Sequence, residues 1–275
     1  MTNILVLKIA LSSETETLLT QISDICTEQS IAFFVAGATA REVLLHHVHG
    51  RKIGRKTRDI DIAIFVDNWQ QFEELKAVLI AQGATVFKGN AHHLLWQDNE
   101  LDIIPFGNIA VENTLAWPPD RAIVMAVDGF LEAFQQAAPV RLSNGSVLLF
   151  CSLPGLALLK LFAWRDRGNQ NGKDALDLFT IISEYSHIEE DRIYDIPLDI
   201  DNFDSDPDRL GAFLLGTDVT SLLQQTAENE TFMQLLQLQT PRLVDAIVHQ
   251  YSRDTPARVE QLIEDFWLGI TTPLE

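Results

Sequence analysis

Asp59 and Asp61 are the residues best placed to do chemistry, in the run Thr57-Arg58-Asp59-Ile60-Asp61-Ile62-Ala63-Ile64-Phe65-Val66. Isoleucine at every second position predicts a strand, and strand side chains alternate between faces. Ile60, Ile62 and Ile64 then enter a core, while Asp59, Asp61 and Ala63 point the other way. Two like charges about 4 Å apart repel by roughly 4 kcal/mol at an effective dielectric near 20, and a bound divalent cation reverses that balance. Paired strand carboxylates therefore point to a metal site. The same spacing recurs at Asp199/Asp201, Asp204/Asp206 and Asp206/Asp208, in a stretch with no strand character that reads as a solvated acidic loop. Asp102, in Glu100-Leu101-Asp102-Ile103-Ile104-Pro105, is a third strand-borne acid among apolar neighbours. If its strand lies beside the first, three carboxylates converge, the set that holds two Mg²⁺ ions about 3.5 to 4 Å apart in phosphoryl chemistry. The plainer reading of Asp102 is a strand-end acid in a surface pair.

Other groups could serve an anion. Gly37-Ala38-Thr39 lies between a strand and a helix, where free backbone N–H groups and the helix dipole favour negative charge; Thr39 adds a hydroxyl, and Arg41 is close enough in sequence to reach the same anion. Five of the twenty basic residues, Arg51, Lys52, Arg55, Lys56 and Arg58, precede the acidic pair and form either a phosphate-facing patch or a solvated loop. In the apolar stretch from Leu156 to Arg167, Lys160, Trp164 and Arg167 share one helical face. Two cations flanking a ring suit a triphosphate and a stacked base, or else two snorkelling cations around a core tryptophan. Asp174, at the start of the next helix, is ordinary dipole chemistry. No spacing among His46, His47, His49, His92 and His93 matches a zinc site.

The elements that must position these groups follow from periodicity. Helices are expected over residues 14–28, 37–49 and 69–82, and strands over 31–36, 59–66, 84–87, 92–96 and 100–105, in the order αβαβαβββ: a mixed sheet with helices on one side. A helix over 127–138 and a hairpin of 140–142 with 147–151 around Asn144-Gly145 follow. Beyond residue 151 the patterns are helical: 153–167, 173–185, 208–215, 219–226, 228–238, 242–251 and 255–268. The fold class is therefore α+β, with one domain over 1–151 and an all-helical domain over 152–275. At 275 residues and 47% apolar content the chain can bury a large core, and its net charge of −19 disfavours extended contact with nucleic acid. No apolar run is long enough for a membrane span and no signal peptide is recognisable, so a cytoplasmic protein is expected. Cys26 and Cys151 allow no disulfide framework and read as small buried hydrophobes.

Taken together, Val35-Ala36-Gly37-Ala38-Thr39-Ala40-Arg41-Glu42, Arg58-Asp59-Ile60-Asp61 and Leu101-Asp102-Ile103 resemble the nucleotidyltransferase superfamily that includes DNA polymerase β and the CCA-adding enzymes. Leu159-Lys160-Leu161, Arg165-Asp166-Arg167 and Lys173-Asp174-Ala175-Leu176-Asp177-Leu178 look like the later motifs of its AbiEii/AbiGii toxin-like branch, and Arg209-Leu210-Gly211-Ala212-Phe213-Leu214-Leu215-Gly216 has that branch's character. The resemblance implies that Asp59 and Asp61 ligate Mg²⁺, that Asp102 completes the site, and that the Gly37 turn and Lys160 hold an NTP lying in a cleft between the two domains, with Asp174 in the last motif. The superfamily usually has Gly-Ser or Gly-Gly where this chain has Gly37-Ala38, with Thr39 offering a hydroxyl one position later. The implied reaction is transfer of an NMP to an acceptor hydroxyl with loss of pyrophosphate, with RNA, a small molecule or a protein as acceptor and an antitoxin as possible partner. A catalytically silent nucleotide-binding module is the remaining alternative.

Overall fold

The computed structural model describes residues 3–52, 59–87, 92–168, 170, 172–195, 200–223, 233–250 and 254–272. The chain divides into two compact units, Met1–Ser152 and Leu153–Glu275. The first is α+β with a mixed sheet, and the described part of the second contains helices and no strands.

The elements of the first unit that bear on the site are α1 (Ser13–Glu28), β2 (Ala32–Ala36), α2 (Gly37–Glu42, continued as a π-helix over Val43–Val48), β3 (Asp59–Phe65), α3 (Trp69–Ala81), β4 (Thr85–Val86), β5 (His93–Trp96), β6 (Asn99–Phe106), α4 (Phe130–Gln135), β9 (Ala138–Arg141) and β10 (Val147–Phe150). The short strands β1 (Leu5–Val6), β7 (Thr114–Ala116) and β8 (Val124–Ala126), two or three residues each, carry too little alternation to be read from the chain. Eight strands form one sheet in the order β1-β9-β10-β2-β3-β6-β5-β4, and β7 pairs with β8 separately. β3 is central, antiparallel to β2 and parallel to β6. Ser12 and Asn68 cap α1 and α3 by accepting the N–H of Thr15 and Gln71, which satisfies amides that have no partner within the helix.

Both sheet faces are covered. One carries Ile60, Ile62 and Ile64, all buried. His92 lies on that face by alternation, and its ring meets Trp117 at 4.9 Å, which in turn meets Phe72 and Trp69 of α3 at 5.5 and 5.0 Å. The other face carries the acids at one end, and at the other Phe34, Phe65 and Phe106 pack against Phe130 and Phe134 of α4, with centroids 5.6 to 6.5 Å apart. The expectation of helices on one side therefore fails at α4. That helix is also shorter than the expected 127–138, because Gly129 takes a left-handed φ of 77° at its start and Ala138 already belongs to β9.

The second unit contains α5 (Leu153–Arg167), α6 (Lys173–Ile188), α7 (Pro207–Leu222), α8 (Thr240–Gln250) and α9 (Pro256–Thr271). The expected break between helices at 215 and 219 is absent: α7 runs unbroken, capped by Asp206 with Pro207 in its first turn. Gly216 is there for packing. A Cβ at Gly216 would collide with the Phe266 carbonyl, and one at Gly269 of α9 with the Phe213 carbonyl, so the two backbones touch. Gly211 likewise lies against Ser186 of α6. The Arg209–Gly216 motif thus serves helix packing, and Arg209 pairs with buried Asp265 at 2.8 Å. No described helix is long and apolar enough to cross a membrane.

Gly216→Ala should therefore lower the stability of the helical unit by about 1 to 3 kcal/mol through overpacking, read as an earlier urea midpoint in far-UV circular dichroism. An unchanged midpoint would mean that the α7–α9 approach can relax.

Candidate active site

The site is a row of residues across the sheet. Asp61 stands opposite Ala36 of β2 on one side and Asp102 of β6 on the other, and Asp102 stands opposite His93 of β5. Paired residues share a face, so Ala36, Asp61, Asp102 and His93 project from the same side. Asp59, two residues before Asp61, is on that face too, opposite Glu100. The sheet thus sets Asp59, Asp61 and Asp102 on one face. Asp59 is exposed, and Asp61 and Asp102 are half-buried.

The turn after β2 fits this row closely. Gly37 has φ +58°, and a Cβ there would collide with the Asp61 carboxylate. Glycine is required because an acid lies directly against the backbone. Ala38 and Arg41 are half-buried in the same helix. Thr39 is buried, and its hydroxyl donates to the Asp59 carbonyl at 2.6 Å. The hydroxyl expected to face phosphate thus ties the turn to the start of β3. Arg58 lies outside the described residues.

Among the described residues, no three His, Cys, Asp or Glu side chains are already gathered closely enough to hold a metal ion. Asp102 has a partner on the other flank. His93 Nδ1 lies 2.6 Å from Asp102 Oδ1, and its Nε2 lies 3.5 Å from Glu100 Oε2. Sequence reading for zinc spacing misses His93. The detectable signal was Gln97-Asp98, a two-residue connection with φ values of 52° and 62° that fixes Trp96 opposite Asn99 and so His93 opposite Asp102. Burial lowers the pKa of neighbouring His92, with Asp102 acting in the opposite sense.

Lys160, Arg167 and Asp174 form a charge cluster inside the helical unit. Lys160 Nζ lies 3.0 Å from Asp174 Oδ1 and 2.8 Å from Asp177 Oδ2, while Arg167 Nε donates to Asp174 Oδ2 at 2.7 Å. Asp174 is buried. Burial alone would raise its pKa, but the Arg167 hydrogen bond and the charges of Lys160 and Arg167 outweigh it and hold the carboxyl below its ordinary value. Trp164 is only 3% exposed, and the Arg242 guanidinium lies 5.9 Å from its ring centroid. The ring is core, which corrects the expectation of a base-stacking platform. Cys26 and Cys151 are buried free thiols, the first pushed up to about 12 and the second higher still by burial.

The mixed sheet thus sets an Asp-x-Asp strand beside a third acid, with a glycine turn packed on the Asp61 carboxylate. The family described as "Nucleotidyl transferase AbiEii toxin, Type IV TA system" matches residues 23–263. The chain belongs to this family of nucleotidyltransferase enzymes. No curated relative matches it. Among solved structures it is similar to the antibiotic-resistance factor ANT(2'')-Ia in solution, at 16% identity over 83% of this chain and 98% of that one, with a TM-score of 0.39. A nucleotidyltransferase-like protein from Paracoccidioides brasiliensis aligns at 18% identity over 63% and 77% of the two chains, with a TM-score of 0.38. A tRNA nucleotidyltransferase solved with a primer tRNA and an ATP analogue aligns at 11% over 85% and 64%, with a TM-score of 0.24. The assignment rests on the family match.

Asp174 carries a pH prediction. A carboxyl whose folded pKa is depressed contributes stability that is complete above its unfolded value, ordinarily 3.8, and is lost as pH falls through the lower folded value. Asp174→Asn should thus destabilise the helical unit by about 1 to 3 kcal/mol at neutral pH. The gap to wild type should narrow below about pH 4 in urea denaturation; a gap that stays constant through that range would show that the ion pairs contribute nothing.

Proposed function

We propose that the acid row binds Mg²⁺, two ions in all, and that the enzyme transfers an NMP from an NTP to an acceptor hydroxyl with release of pyrophosphate. The observation that carries this reading is Asp61 opposite Asp102 on one sheet face, with Asp59 beside them. Their donors are carboxylate oxygens, which suit a hard cation, and the hollow at Gly37 accommodates the Asp61 carboxylate. When bound, such ions activate the acceptor oxygen and stabilise charge on the leaving pyrophosphate.

The chain's own residues divide the remaining work. Asp59, Asp61 and Asp102 would hold the cations, and Asp102 would also take the proton from the acceptor hydroxyl. The backbone of Gly37 and Ala38 offers N–H groups to phosphate, and Arg41 and Arg58 oppose its charge. Lys160 is proposed as a phosphate-binding cation of the helical unit, extended and aimed by Asp174 and Asp177, with Arg167 anchoring Asp174.

The proposed acceptor is RNA, through a terminal hydroxyl. Support comes from the basic run Arg51 to Arg58 directly before β3, a local positive charge in a chain of net charge −19. That same net charge favours a second reading, in which the hydroxyl belongs to a small molecule or a protein. The type IV toxin–antitoxin description of the family supports an antitoxin counterpart, and the proposed location is the cytoplasm.

Purified protein incubated with Mg²⁺, each labelled NTP and total RNA should label RNA. Label on protein or on a small acceptor would select the second reading, and no label from any NTP would overturn both. Asp61→Asn should lower transfer by at least about 10³-fold with unchanged circular dichroism; full activity in that variant would remove the metal role.

A further inference from the structure

We propose that His93 is a positioning residue that anchors one oxygen of Asp102 and so presents the other to the metal. The inference rests on the metal-binding reading of Asp61 and Asp102. An ionised carboxylate only accepts hydrogen bonds, so the 2.6 Å contact to Asp102 Oδ1 requires the proton on His93 Nδ1. The ring cannot turn freely. Its Nε2 lies 3.5 Å from Glu100 Oε2, Phe87 meets it edge-on with centroids 4.6 Å apart, and its side chain is only 14% exposed.

The geometry separates the two oxygens of Asp102 by task. β6 lies between β3 and β5, so Asp102 has Asp61 on one flank and His93 on the other. A donor on the β5 flank ties Oδ1 to that side and leaves the other oxygen as the one that would serve a cation shared with Asp61. Groups that hold a metal-ligating carboxylate typically change metal affinity or activity by about 10- to 100-fold when removed. A tether serving only to join β5 to β6 would change stability alone.

The test uses Mn²⁺ as the probe, titrated into full-length protein without nucleotide and followed by the electron paramagnetic resonance signal of the free ion. His93→Ala should weaken Mn²⁺ binding by about 10-fold or more and lower kcat with the KM for NTP unchanged. His93→Asn, whose side-chain amide can donate from nearly the same place as Nδ1, should recover most of both. Asp61→Asn and Asp102→Asn serve as references and should bind Mn²⁺ more weakly than either His93 variant. If His93→Ala melts earlier but binds Mn²⁺ as wild type does, while the two Asp variants lose binding, His93 is a structural tether and the proposal is overturned. If the Asp variants also bind as wild type does, the metal reading itself fails and the positioning role falls with it.

Discussion

Two carboxylates face each other across a pair of parallel strands, and the architecture of the first unit can be understood as what keeps them there. Asp61 and Asp102 are neighbours by hydrogen-bond register, and side chains alone could not hold two like charges side by side in water. The restraint comes from burial. Ile62 and Ile64 on β3 and Leu101 and Ile103 on β6 are at most 1% exposed, and slipping either strand by one residue would turn these groups toward the acid face. The phenylalanine cluster at the other end of that face reinforces the same register. The hollow at Gly37 then fixes where the middle carboxylate can lie.

The helical unit handles charge differently. Among the described residues each buried anion there is matched by a specific guanidinium or ammonium: Asp174 by Arg167 and Lys160, Asp265 by Arg209. Asp206 and Asp208, part of what reads in the sequence as a solvated acidic loop, are tied to Arg258 at 2.5 and 3.2 Å. In a chain so short of positive charge, these pairings show where cations are needed for structure. Removing the cation from Asp174 or Asp265 leaves a buried charge uncompensated, which costs more than forming the pair gains.

Much of this was legible in the sequence, for reasons that can be stated. The Asp59–Phe65 and Asn99–Phe106 strands announce themselves by alternation, so the side on which each acid emerges follows from counting. What was illegible depended on partners distant in the chain. Gly216 looks like a helix terminator because local propensity favours that reading, yet its role is set by the Phe266 carbonyl fifty residues away. Thr39 sits in a strand-to-helix turn, and the bond its hydroxyl makes to the Asp59 carbonyl cannot be read before β3 is in place. Trp164 lies on a helix apolar on nearly every side, where periodicity cannot separate core from surface.

The tight connection at Gln97-Asp98 has a consequence for how such proteins can vary. Because β5 and β6 are joined by two residues only, the length of that joint decides which side chain of β5 meets Asp102. One additional residue there would shift the register by one step and offer Leu94 or His92 in place of His93, leaving the acid against hydrocarbon or a misdirected ring. Loop length, usually the freest variable in a protein, is here as constrained as the identity of a ligand.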